Sequence, residues 1–220
     1  MADAPNAPEQ IVQIPAGEVT LQGRLALPDQ ACGIVVFAHG SGSSRFSPRN
    51  RFVADELQQA GLATLLFDLL SADEEAVDVR TRHLRFDISL LARRVCQAKA
   101  WLDGQDTIRS LSVGYFGAST GAAAALVAAA REPGRVSAIV SRGGRPDLAG
   151  NSLPEVRAAT LLIVGERDTE VLELNRRARA LMKAETELTI VPGASHLFEE
   201  AGALEKVSAH ATDWFTRHLQ

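Results

Sequence analysis

Two periodicities alternate along the chain. Short, nearly unbroken apolar runs at residues 33–38, 63–68, 112–117, 136–141, 160–164 and 187–191 are rich in aliphatic and β-branched side chains. That is the pattern of strands covered on both faces of a sheet. Between and after them lie longer stretches, 48–60, 85–102, 120–131, 171–183 and 203–219, in which apolar positions recur at helical spacing. Gly61 and Gly134 stand where two of these helices should end, the position that favours a left-handed backbone. Upstream, 11–15 and 19–28 read as an antiparallel hairpin turning at Ala16, Gly17 and Glu18.

Strands alternating with helices of this length predict an α/β fold with a mostly parallel, doubly wound sheet and right-handed crossovers. Residues 11–220 are expected to form one domain behind a mobile lead at 1–10. One connection departs from the rhythm: 142–159 holds three glycines, two prolines and only a brief helical stretch near 154–158. It is too short for a lid domain, so the carboxyl edge of the sheet should be open to modest-sized, soluble substrates.

That edge is where the chemistry collects. Gly117-Ala118-Ser119-Thr120-Gly121 follows the strand 112–117 directly and runs into an Ala-rich helix, the context of a G-x-S-x-G nucleophile elbow rather than of a simple capping serine. A serine hydroxyl needs a base. His196 lies between the last strand and the last helix, on the same edge, whereas His83, His210 and His218 sit in charged or amphipathic stretches. His39, in Ala38-His39-Gly40-Ser41-Gly42, also ends a strand and competes as base. Its loop reads better as the source of a backbone N–H, that of Ser41, which with the N–H of Thr120 would cradle an oxyanion. The imidazole needs a carboxylate. Asp168, in Gly165-Glu166-Arg167-Asp168 after the strand 160–164, is favoured over Glu166 because it completes the chain order serine, acid, histidine.

Taken together, the His39-Gly40 loop, GASTG, GERD and ASH resemble the α/β-hydrolase superfamily over nearly the whole chain. In its compact, lidless layout the sequence is most similar to the dienelactone hydrolase-like branch. The resemblance implies an eight-stranded sheet, a Ser-Asp-His triad and no cofactor. There is one departure: dienelactone hydrolase uses a cysteine nucleophile, whereas the elbow here carries Ser119, which moves the expectation from dienelactones to plain carboxylic esters.

Arg45, Arg142 and Arg145 continue loops at the same edge. Their guanidinium groups suit a substrate carboxylate or phosphate; the competing reading pairs them with Asp147, Glu155 or other loop acids. Charge narrows the partners: with a formal net charge of −4 there is no basic field for nucleic acid. No metal-ligand spacing, Walker lysine or G-x-G-x-x-G run is present. The first ten residues lack a secretory pattern, no apolar run approaches membrane-spanning length, and Cys32 and Cys96 read as buried thiols rather than a disulfide framework. The expectation is a cytoplasmic monomer or small homo-oligomer acting on a small acyl substrate. Acyl transfer, thioester or peptide cleavage by the same triad, and a noncatalytic binding protein on the same fold, remain the alternatives.

Overall fold

The structure, a computed structural model, describes residues 8–219. Most of the expected lead lies outside them, and where it overlaps, Glu9 and Gln10 already belong to a strand. Eight strands build one sheet: β1 (Glu9–Ala16), β2 (Val19–Ala26), β3 (Gly33–Ala38), β4 (Ala63–Phe67), β5 (Ser112–Ala118), β6 (Ala138–Arg142), β7 (Ala159–Gly165) and β8 (Thr186–Val191). Their spatial order is β1-β2-β4-β3-β5-β6-β7-β8. The β1/β2 and β2/β4 pairs are antiparallel and every other pair is parallel.

Six α-helices are described: α1 (Pro48–Gln59), α2 (Ala72–Thr81), α3 (Ile88–Asp103), α4 (Thr120–Arg131), α5 (Thr169–Leu181) and α6 (Ala203–Leu219). Side chains alternate across a strand, and β5 shows the result. Tyr115 joins the apolar cluster under α3 and α4, while Phe116 joins the cluster under α1 and α6. There Phe116 meets Phe37 of β3 at 4.9 Å between ring centroids. Both central strands are thus covered twice, as their unbroken apolar runs require. β8 differs: at the sheet's edge it is largely half-exposed, with Ile190 reaching solvent.

Local chemistry shifts several boundaries. The stretch 85–102 is not one helix, because Leu84–Phe86 forms a 3-10 turn and the Asp87 carboxylate then caps α3, accepting the Leu90 N–H at 2.9 Å. The helix expected near 154–158 is instead a 3-10 segment, Pro146–Glu155, kinked at Gly150 with φ 50°. α2 has no counterpart among the expected elements. Cys32 and Cys96 are half-buried free thiols. Among the described residues no helix is long and apolar enough to cross a membrane, and no group of three or more His, Cys, Asp or Glu could hold a metal ion.

Candidate active site

Ser119 sits between the end of β5 and the first residue of α4 with φ 51° and ψ −120°, a backbone that costs a non-glycine residue energy and persists only where its surroundings impose it. Those surroundings are tight. A Cβ on Gly117 would lie 2.4 Å from Ala122 Cα, and one on Gly121 would lie 2.2 Å from the Ala38 carbonyl oxygen. The two glycines of the elbow are therefore steric requirements. The chain after β6 clamps the turn: Ser119 N–H donates to the Arg142 carbonyl at 3.3 Å, and Arg145 N–H donates to the Ser119 carbonyl at 3.1 Å.

At the end of β7, Asp168 occupies the N-cap position of α5 without using its side chain as the cap. Its Oδ2 instead meets His196 Nδ1 at 2.6 Å, leaving Nε2 as the ring nitrogen available for a serine proton. The competing acid, Glu166, is engaged elsewhere, accepting the Gly193 N–H at 2.8 Å. A further acid, not anticipated from sequence, holds the His196 loop. Glu200 accepts the Ser195 N–H at 3.0 Å and pairs with Arg167. These contacts, the Ser195 N–H foremost, hold the Glu200 carboxyl at about 2. Ser119 and His196 line one pocket of about 220 Å³, although among the described residues no hydrogen bond joins them. Such bonds often tighten only when substrate binds.

His39 is not placed to act as base. Nδ1 donates to the Gly40 carbonyl at 2.9 Å and Nε2 accepts the Leu69 N–H at 3.1 Å, so both ring nitrogens serve the backbone. Burial lowers its pKa and favours this neutral form. Thr120 N–H, at the head of α4, finds no acceptor among the described residues. Ser41 N–H does find one: it donates to Thr120 Oγ1 at 2.9 Å. The two expected oxyanion donors are thus neighbours, but the second is shared with a threonine side chain.

The three arginines separate. Arg45 pairs with Asp68, which also accepts the Arg45 N–H at 2.8 Å, and its guanidinium lies over Phe46 at 4.2 Å. It lines a neighbouring cleft of about 620 Å³ that meets the Ser119 pocket at Ser43 and Ser47. Arg145 forks onto Asp147 at 2.9 and 2.8 Å. Arg142 alone of the three lines the Ser119 pocket. Sequence reasoning passed over Arg49 and Asn50, which join it there from the first turn of α1. Only the helix start at Ser47-Pro48 was readable in advance, and it carries no hint of which wall that turn faces.

A family model described as the dienelactone hydrolase family matches residues 21–220. Two curated relatives from Mycobacterium tuberculosis, strains CDC 1551 / Oshkosh and ATCC 25618 / H37Rv, are each 59% identical over 218 residues. Both bear the name "Putative phosphoribosyl transferase". The match covers 99% of this chain and 48% of theirs, so the chain spans about half the length of those relatives. Among solved structures, a dienelactone hydrolase from Anabaena variabilis ATCC 29413 is 57% identical with a TM-score of 0.96, covering 98% of this chain and 100% of that one. Est1E from Butyrivibrio proteoclasticus, at 15% identity and a TM-score of 0.79 over 94% of this chain and 98% of its own, shares the fold.

Proposed function

The chain belongs to the dienelactone hydrolase family, and from that premise we propose that it is a serine hydrolase, cleaving carboxylic esters or related acyl bonds of small soluble substrates through an acyl-enzyme on Ser119. The observation that carries this reading is the strained Ser119 elbow opening into the same pocket as an imidazole whose other nitrogen is held by Asp168 at 2.6 Å.

In the proposed reaction Ser119 Oγ attacks the acyl carbonyl while His196 Nε2 takes its proton, and the Asp168 carboxylate fixes the tautomer and stabilises the imidazolium. Charge on the tetrahedral oxygen is met by the Thr120 N–H. The Ser41 N–H joins it by sharing its bond with Thr120 Oγ1 or by releasing it. His196 then protonates the departing alcohol or amine. Water, activated by the same imidazole, attacks the acyl carbon and restores Ser119. No step requires a cofactor.

The name borne by the curated relatives raises phosphoribosyl transfer as a second reading. That chemistry does not account for a strained serine that shares a pocket with a carboxylate-paired imidazole, and the chain spans only about half of those proteins. The test is hydrolysis of short-chain p-nitrophenyl esters by the wild type and by Ser119→Ala, with organophosphonate labelling followed by peptide mapping. We expect activity and label to vanish together in Ser119→Ala. Activity that survives the substitution would overturn Ser119 as nucleophile, and absence of both in the wild type would favour a noncatalytic binding protein.

A further inference from the structure

The cleft of about 620 Å³ that meets the Ser119 pocket at Ser43 and Ser47 has no part in the reaction derived above. Its volume is that of a small-molecule site, on the order of 300–1,000 Å³. Four segments remote in sequence wall it: β2, the loop after β3, the residues just past β4 and the start of α2. The charged groups among them cancel. Asp68 accepts the Arg45 N–H at 2.8 Å and pairs with the Arg45 guanidinium, while Glu75 lies 3.8 Å from Arg85. His39 has both ring nitrogens on backbone groups. Two acids against one arginine give an anion nothing to bind, and a cation would have to displace Arg45 from Asp68.

What remains in the wall is neutral and polar. The Ser44, Ser47 and Ser71 hydroxyls each accept a backbone N–H, from Phe46 at 3.2 Å, Asn50 at 3.3 Å and Glu74 at 3.2 Å. Their own protons find no acceptor among the described residues. The side chains of Thr20, Gln22 and Ser43 make no hydrogen bond among those residues, and all three line the cleft. A hydroxyl both donates and accepts, and so does a side-chain amide. The complement of such a wall is a ligand with several hydroxyls of its own. Leu70 and the half-exposed Phe46 add apolar surface for the C–H groups between them.

Taking Ser119 as the nucleophile, as proposed above, we infer that this cleft is a subsite for an uncharged, hydroxyl-rich part of the substrate, a polyol ring of monosaccharide size. Gln22 and Thr20 from β2 and the serines of the loop after β3 exchange hydrogen bonds with its hydroxyls, and Ser43 and Ser47 mark the passage to the ester at Ser119. The subsite selects hydroxylated esters over hydrocarbon esters of the same shape.

The test uses two matched pairs of esters. Methyl glucoside acetylated at its primary hydroxyl, against cyclohexylmethyl acetate, puts the hydroxyls on the alcohol. Methyl shikimate, against methyl cyclohexenecarboxylate, puts them on the acyl group. In at least one pair the wild type should favour the hydroxylated ester in kcat/KM by about tenfold, the scale of one or two neutral hydrogen bonds, and that pair identifies the side. The double variant Thr20→Val, Gln22→Leu, which keeps side-chain size and is checked by circular dichroism, should bring the ratio to about one. Ser44→Ala, from a different wall, should lower it independently. Saturation-transfer NMR on Ser119→Ala should detect methyl glucoside binding that disappears when the β2 substitutions are added. No preference in either pair would overturn the subsite, and so would a preference that survives both the double variant and Ser44→Ala. If none of the four esters is hydrolysed yet wild type binds methyl glucoside in a manner dependent on Thr20 and Gln22, the subsite stands and the serine hydrolase reading fails.

Discussion

Arg142 and Arg145 stand three positions apart in Arg-Gly-Gly-Arg and meet opposite fates. Arg145 is half-exposed, Asp147 receives it in a two-point fork, and this contact raises its pKa. Arg142, the last residue of a central strand, is carried inward beside a second arginine and pairs with no acid among the described residues. The difference teaches that proximity in sequence says little about a cation's partner. Arg145 is satisfied by its own loop, whereas the surroundings of Arg142 come from β5, α1 and the His196 loop, all distant in the chain. A charge held at a cost to stability in the pocket of a strained serine belongs to function more readily than one neutralised by its own loop.

The comparison depends first on a working centre at Ser119. Asp168→Asn should lower kcat on a p-nitrophenyl ester by about 10³- to 10⁴-fold while leaving circular dichroism unchanged; a loss under tenfold would detach Arg142 from any catalytic context. Next in size is the contrast itself. Urea unfolding should find Arg142→Met more stable than wild type by about 1–3 kcal/mol, because an unpaired buried cation gives way to an apolar chain of similar length. Destabilisation would mean that Arg142 has a structural partner. Arg145→Met breaks only a partly exposed pair and should cost about 0.2–1 kcal/mol in the same assay, so opposite signs for the two substitutions are the expected outcome.

The smallest effect concerns the loop that carries His196. Glu200 has a carboxyl held at about 2, below its usual 4.5. A depressed acid stabilises the fold above its unfolded pKa and loses that contribution as pH falls through the folded one. The stability difference between wild type and Glu200→Gln should therefore be constant above about pH 4.5 and disappear toward pH 2. A difference that persists there would show that the carboxylate charge is not what holds the Ser195 N–H.

The region between β4 and α3 shows how apolar periodicity misleads. Ser71 and Glu74 form a reciprocal capping box, with the Glu74 N–H donating to Ser71 Oγ at 3.2 Å and the Ser71 N–H to Glu74 Oε2 at 2.8 Å. The serine and glutamate are visible in the sequence at the right spacing. Yet α2 turns Val77 and Val79 toward solvent and buries Asp78, so its pattern of burial inverts the usual one. Asp78 is held by Arg85 and by the N–H groups of Leu84, at 2.7 Å, and Arg85, at 3.2 Å. Burial alone would raise its pKa, but these partners outweigh it and the net shift is downward.

Where an element's environment is local or periodic, the sequence by itself determined it. The doubly covered strands announce themselves by unbroken apolar runs, and the elbow by glycines that leave no room for a Cβ. The order of Ser119, Asp168 and His196 along alternating strands and helices brings them to one edge, because a parallel sheet with helical crossovers presents all its strand ends together. Only the tertiary structure decided which charges pair, which amides remain free, and which of three arginines shares a pocket with Ser119. Those outcomes depend on groups converging from remote segments, and the energy of a charge or a hydrogen bond is set by what lies within a few ångströms of it and by how much water is left there.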